Sequence, residues 1–257
     1  MQDSLHNDPF YYRYPQGKAC LCLHGLGGGS YELVPLANRL YRQGLTVRGF
    51  NYPGHDSPAK QMPTSCWQDW YARTLEIYQE LQKDYTEVSV IGFSTGCLLG
   101  LHLAAQYSIE KLVLLSPFLR IRHRWYYGLR PETYVKKLGQ WIQKVPRLTL
   151  PIQDPVMRAA ATKVAYFQTF NIPAVRSALD LIDLVQQELP QIQTPLLIIQ
   201  SRQDTVVDPQ GAEDIRQVIG SQQKSLYELS HSDHIISLDR ERETVFAQVI
   251  AFLETNG

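Results

Sequence analysis

The sequence predicts an α/β fold with a mostly parallel central sheet flanked by helices. Three observations carry this. Short continuous apolar runs recur along the chain; helical periodicities fall between them; and one connection is far longer than a single crossover requires. Runs that stay apolar without alternating suit strands buried on both faces, as in a parallel sheet. Alternation of such runs with helical patterns is the signature of a layered α/β domain.

The runs are "KACLCLH" (18–24), "LTVRGF" (45–50), "EVSVIGF" (87–93), "KLVLLS" (111–116), "PLLIIQS" (195–201) and "SLYELS" (225–230). Ahead of them, "PFYYRYPQGKACLCLH" places two strand-like segments around Pro15-Gln16-Gly17, which predicts an antiparallel hairpin at the start of the sheet. Helices are predicted over 30–44, with Leu33, Leu36, Ala37 and Leu40 on one face, and over 65–81, opened by Ser65 and Gln68 as a capping box. Two more are predicted over 176–189 and 244–254, the first repeating Ala178, Ile182, Val185 and Leu189. From Ser116 to Pro195 only one crossover helix is needed, and 176–189 can supply it. Residues 118–172 are then surplus, and a long excursion in a compact domain is usually a lid or binding element. The chain therefore divides into a core, 1–117 and 173–257, and an inserted helical cap, 118–172.

Composition narrows the class. The 257 residues are 44% hydrophobic and 19% charged, with a formal net charge of zero. That is ordinary for a globular protein and gives no support to nucleic-acid binding by the chain as a whole. The excursion departs from this balance. Between Leu119 and Arg147 stand eight basic residues (Arg120, Arg122, Arg124, Arg130, Lys136, Lys137, Lys144, Arg147) against Glu132 alone. A solvated helix face or an attraction to an anionic surface or substrate would each account for it. The same region is rich in rings: Phe118, Trp125, Tyr126, Tyr127, Tyr134, Trp141, Tyr166, Phe167 and Phe170. These serve packing onto the core or an apolar pocket.

Cys20, Cys22, Cys66 and Cys97 show no zinc-type spacing. Cys20 and Cys22, two apart on a strand, share a face in poor geometry for a mutual bridge. Reduced, buried thiols are expected, as in a cytoplasmic protein. The N-terminus shows no signal-peptide pattern, and no apolar run reaches membrane-span length.

Chemistry enters at Gly92-Phe93-Ser94-Thr95-Gly96. The segment matches G-x-S-x-G, with a strand before it and a helical pattern after it, the context in which such a turn lifts a serine hydroxyl above the strand end. A serine is a weak nucleophile unless a base accepts its proton, and the base needs a third group to orient it. "PLLIIQSRQDTVVDP" sets Asp204 just past a strand, with Asp208 as a competing acid four residues later. "SLYELSHSDHIISLD" sets His234 past the last strand; His231, nearer the strand, suits local packing, and Asp239 reads as the N-cap of the final helix. The order Ser, Asp, His is that of α/β hydrolases.

Acyl transfer also needs donors for a developing oxyanion. The Thr95 N–H, at a helix start, supplies one, and the glycine-rich loop "LHGLGGGS" (23–30) supplies the other at Leu26. His24 would brace that loop. The loop lacks G-K-[ST] and fails G-x-G-x-x-G at Ser30, which argues against a nucleotide site.

The segments "LCLHGLGGGS", "NYPGHD", "GFSTG", "PLLIIQSRQDTVVDP" and "SDHIISLDRERETVFAQVIAFLE" resemble the α/β-hydrolase superfamily, in particular small bacterial carboxylesterases and monoacylglycerol lipase-like enzymes. The resemblance runs over nearly the whole chain. It implies Ser94 as nucleophile, Asp204 as acid, His234 as base, Leu26 and Thr95 as oxyanion donors, and a small helical cap over the site. Many relatives carry G-H-G where this chain has Gly54-His55-Asp56, in a loop that is usually structural. The expectation is a serine hydrolase of short- to medium-chain esters with no cofactor or metal. Its partner would be a small-molecule ester, with no nucleic acid and no stable membrane insertion. Peripheral membrane contact would run through the basic stretch. A thioesterase, a monoacylglycerol lipase, or a binding protein on the same scaffold are the alternatives.

Overall fold

Apolar runs without alternation become strands with no solvent face. In the computed structural model, β2 (Ala19–Leu23), β4 (Val88–Phe93), β5 (Leu112–Leu115) and β8 (Leu196–Ser201) are buried at every position. The structure describes residues 4–15, 17–123, 130–138 and 142–255, with backbone alone at 136–138. β1 (Phe10–Tyr12), β3 (Thr46–Gly49) and β9 (Lys224–Leu229) complete a seven-stranded sheet in the order β1-β3-β2-β4-β5-β8-β9. Every pairing is parallel except that of β1.

Successive strand residues feed opposite faces, so the sheet separates two cores. On one side Leu21, Leu23, Val90, Leu112 and Ile198 meet α2 (Trp67–Asp84), α3 (Thr95–Gln106), α6 (Ile172–Glu188) and α7 (Gln210–Val218). On the other, Cys20, Cys22, Ile91, Val113 and Ile199 meet α1 (Val34–Arg42) and α8 (Arg242–Glu254). Cys20 and Cys22 do share a face; both are free and buried, and burial pushes the Cys20 thiol up to about 12. Cys66 is only half-buried.

Three local expectations are corrected. The N-terminal hairpin does not form: β1 pairs antiparallel with β3, Phe10 opposite Gly49, while β2 is flanked by β3 and β4. A Cβ at Gly49 would stand 2.3 Å from the Phe10 ring, so the glycine makes room for that strand. The Ser65–Gln68 capping box is also absent. α2 starts after Cys66 with no side-chain cap bond, and its Trp67 N–H is satisfied by Ser177 Oγ at 2.8 Å, from α6. Asp239 does not cap the final helix, whose N-cap is Glu241.

The 118–172 excursion is not purely helical. It holds α4 (Pro131–Leu138), α5 (Pro155–Val164) and an antiparallel pair, β6 (Lys144–Pro146) with β7 (Thr169–Asn171). Phe118, Leu119 and Phe167 pack into one core and Leu150, Ile152 and Ala161 into the other. Arg124, Trp125, Tyr126, Tyr127 and Trp141, and the side chains of Lys136 and Lys137, lie outside the described residues. No described helix is long and apolar enough to cross a membrane.

Candidate active site

β4 hands over to α3 through a single residue in a left-handed conformation, Ser94 at φ 53°. The turn is tight because its glycines permit it. A Cβ on Gly92 would lie 2.5 Å from Gly96 O, and one on Gly96 would lie 2.2 Å from Leu23 O. Strand, elbow and helix can therefore approach only with hydrogen at both positions. The Ser94 N–H donates to Leu115 O at 2.9 Å, tying the elbow to β5.

At this rim three side chains meet. The Ser94 Oγ lies 3.0 Å from His234 Nε2, and His234 Nδ1 lies 2.8 Å from Asp204 Oδ2. Asp204 is fully buried, and its other carboxylate oxygen accepts the Val206 and Val207 N–H groups at 2.8 Å each. Burial pushes this carboxyl up, but His234 beside it and those two amides outweigh burial and hold it below the usual range. The carboxylate thus stays ionised and fixes Nδ1 as the protonated nitrogen, which leaves Nε2 to accept. Asp208 is not at this site: its carboxylate accepts the Gln210 N–H at the start of α7. Nor is His231, which is exposed and donates its N–H to Glu241.

The His234 loop is supported by Ser116, Ser201 and Gln200, which no sequence motif singles out, and by Asp239. Ser116, itself at φ 49°, donates its Oγ to His234 O at 2.9 Å. Ser201 Oγ donates to Ser232 O, and Gln200 Nε2 donates to Asp204 Oδ2 at 3.1 Å. Asp239 is fully buried and accepts from the N–H groups of Gln153, Asp154 and Asp233, which locks the loop to the excursion. The available signal is a serine closing each of two apolar runs, Ser116 just past β5 and Ser201 at the end of β8. Asp239 gave a different signal, one that matched a helix cap equally well.

Leu26 and Thr95 both line a cavity of about 570 Å3 that opens over Ser94 and His234. The peptide carrying the Leu26 N–H is tied back by its carbonyl: Gly25 O accepts from His24 Nδ1 at 2.8 Å and from Gly28 N at 3.1 Å. That leaves the N–H on the opposite edge of the same peptide plane. His24 Nε2 accepts the Tyr52 N–H at 3.2 Å, and burial drives the imidazole well below its ordinary value, so it is neutral with its proton on Nδ1. His55 has a similar task. Its Nε2 accepts the Gly27 N–H at 3.0 Å, and burial pushes it down to about 4.

The cavity walls are mainly apolar, with Phe118, Val135, Val145, Phe170 and Val175 among them. Glu32 and Arg147 interrupt them. Among the described residues no cluster of His, Cys, Asp and Glu could hold a metal ion.

A parallel sheet wrapped by helices, with a serine elbow, a histidine and a buried aspartate at the C-terminal rim of its strands, defines an α/β-hydrolase. The chain belongs to the serine aminopeptidase S33 family of hydrolases, whose sequence profile matches residues 15–241. It is 25% identical over 240 residues to a carboxylesterase of Bacillus subtilis (strain 168), covering 92% of both chains. It is 28% identical over 250 residues to a thermostable monoacylglycerol lipase of Bacillus sp. (strain H-257), covering 95% of this chain and 93% of that one. Among solved structures it superposes with a TM-score of 0.86 on one reported for the metagenome-derived lipolytic enzymes LipS and LipT, at 24% identity over 97% of this chain and 98% of that one. The monoacylglycerol lipase of Paleococcus ferrophilus gives 0.80 at 18% identity, over 95% and 97%. At these identities the structural likeness speaks to the fold alone.

Proposed function

We propose that this ester-hydrolysing enzyme works through an acyl-enzyme on Ser94, with His234 as general base and Asp204 as its orienting acid. Ser94 Oγ attacks the ester carbonyl while His234 Nε2 accepts its proton. The Leu26 and Thr95 N–H groups receive the oxyanion. His234 then protonates the leaving alcohol, and the same imidazole activates the water that releases the acid. Asp204 stabilises the imidazolium without taking a proton. The observation that carries this reading is the continuous relay at 3.0 and 2.8 Å from Ser94 through His234 to a carboxylate buried with its remaining lone pairs satisfied.

The substrate class we propose is a small carboxylic ester of short to medium acyl chain. The mainly apolar cavity of about 570 Å3 supports an acyl group over a peptide, as do the carboxylesterase and monoacylglycerol lipase relatives. We read the 118–172 excursion as the cap over the site, since Phe118, Val145 and Phe170 from it line that cavity.

The experiment is labelling by a fluorophosphonate and turnover of a p-nitrophenyl ester series, in wild type and in Ser94→Ala. Loss of labelling with a fall in turnover on the order of 10⁶ is expected, by the scale of triad knockouts. Near-wild-type turnover in the variant would eliminate the mechanism. Labelling without turnover of any ester or thioester would favour a binding protein on this scaffold.

A second reading is a monoacylglycerol lipase or thioesterase that meets a lipid or anionic surface. One observation favours it: the excursion presents Leu148 at 94% and Val156 at 74% exposure, with Ile142 and Val145 also exposed beside Lys144. Exposed apolar side chains interleaved with basic ones suit peripheral contact with an anionic lipid surface.

A further inference from the structure

The loop from Gly25 to Gly29 turns inside the protein, where its backbone needs partners from elsewhere. Two come from side chains that the proposed cycle does not use. The Gly25 N–H donates to Glu32 Oε2 at 2.9 Å, and Arg147 Nη1 donates to Gly27 O at 2.7 Å. Glu32 is 2% exposed and lines the cavity together with Arg147. Its backbone is anchored too, because Ser237 Oγ, three residues past His234, donates to Glu32 O at 2.6 Å. The loop wraps the carboxylate so closely that a Cβ on Gly28 would stand 2.2 Å from it. Gly25 in turn lies against Ser94: a Cβ there would be 3.2 Å from the Ser94 Cβ. A buried carboxylate costs several kcal/mol unless it is paired. Among the described residues no cation comes within ion-pair distance of Glu32.

We infer that Glu32 is a positioning residue for the reaction: its carboxylate holds the Gly25 N–H, and with it the loop that presents the Leu26 N–H to the oxyanion, while Arg147 is its longer-range countercharge. This rests on the proposed role of Leu26. The peptide before the donor peptide is held by Glu32 and the one after it by His55, with Arg147 holding the carbonyl of the peptide beyond. Loosening Gly25 therefore tilts the donor that follows it.

The same contact makes the loop sensitive to protons. Burial pushes Glu32 up to about 7, against the Gly25 hydrogen bond, Arg147, His234 and the Gly29 N–H, which pull it down. The charged and titratable groups that face it are Arg147 from the excursion, His234 from its loop, Tyr31 beside it and Tyr52 after β3. When Glu32 takes a proton, a charge-assisted bond to Gly25 becomes a neutral one of roughly half the strength. Turnover should therefore rise with pH through an ionisation near 7 that belongs to Glu32.

The test measures kcat and KM for p-nitrophenyl butyrate from pH 5 to 9 in wild type, Glu32→Gln, Glu32→Ala, Arg147→Met and Ser94→Ala. Rates are expressed per active site titrated with the fluorophosphonate, and per mole of protein for Ser94→Ala, which the reagent does not label. Deleting an oxyanion donor costs about 10²–10³ in kcat, and misaiming one costs less. The expected result for Glu32→Ala is a fall in kcat of roughly 10- to 100-fold with KM within about twofold. Glu32→Gln, which keeps a carbonyl acceptor of the same length, should recover most of that loss, yet its acid limb should show one ionisation fewer. Arg147→Met should move that ionisation to higher pH. Wild-type kcat per titrated site in Glu32→Ala, or an unchanged acid limb in Glu32→Gln, overturns the inference; should the Ala variant not fold, the Gln profile decides. An acid limb unmoved in Arg147→Met removes the countercharge role. Turnover surviving in Ser94→Ala would instead remove the mechanism beneath it. An inert Ser94→Ala beside an unaffected Glu32→Ala leaves that mechanism standing and discards Glu32 alone.

Discussion

Replacing Glu32 by Gln should change how the stability of the whole protein depends on pH. In the unfolded chain this carboxyl titrates at its ordinary 4.5; in the fold, burial raises it to about 7. Between those values the native state holds a proton that the unfolded chain has released. Stability contributed by the protonated form is then present in full below 4.5 and is lost as pH rises to about 7, above which it stays constant. At about 1.4 kcal/mol per pH unit, the loss over that span is about 3 kcal/mol. Glutamine has the same shape and nothing to titrate, so the variant escapes the loss. Urea unfolding followed by tryptophan fluorescence, at half-unit steps from pH 4 to 8, measures the difference directly, because every other titrating group is common to both proteins. The variant should gain on wild type steadily up to about pH 7 and then hold its lead, by about 3 kcal/mol relative to pH 4. A difference that stays flat across the range would show that Glu32 titrates at its ordinary value. One that grows in favour of wild type would mean that the ionised carboxylate is a net stabiliser, and that Arg147 and the loop amides outweigh burial.

Two other expectations concern the site and its surroundings. Asp204→Asn keeps the volume of a fully buried side chain but can donate to His234 and favour the wrong tautomer. A fall in kcat on the order of 10⁴ with KM little changed is expected, and stopped-flow acylation of a p-nitrophenyl ester will reveal whether acylation suffers. Leu148→Asp alters a residue that is 94% exposed, so turnover of a soluble ester should not change. On the lipid-surface reading, co-sedimentation with vesicles rich in an anionic phospholipid should weaken on the order of tenfold, the value of one buried leucine. Equal binding by both proteins would exclude Leu148 from any lipid contact.

Much of this fold could be read from the chain. The apolar runs identified their strands because a strand covered on both faces has few positions open to polar residues, and β2, β4, β5 and β8 lie where the runs are. The turn at Ser94 was legible because steric need and glycine spacing are both local. The partner of β1 was not. Choosing β3 over β2 depended on room beside Gly49 for Phe10, some forty residues away. The start of α2 was misread for a similar reason, since Ser177 satisfies the Trp67 amide across a gap of 110 residues.

At the rim of the sheet the same division holds. From sequence alone came the residue types and their order: a serine between glycines, an aspartate past one strand and a histidine past the next, each following a strand that must end at the same edge of a parallel sheet. Only the tertiary structure decided that Ser94 and His234, 140 residues apart, stand 3.0 Å from one another, and that Asp204 rather than Asp208 faces the imidazole. It also decided that Glu32, Arg147, Ser116 and Asp239 hold the surrounding loops. Hydrophobic period and turn chemistry act over a few neighbours, whereas these contacts join segments that share no periodicity and meet only because the sheet brings its strand ends together.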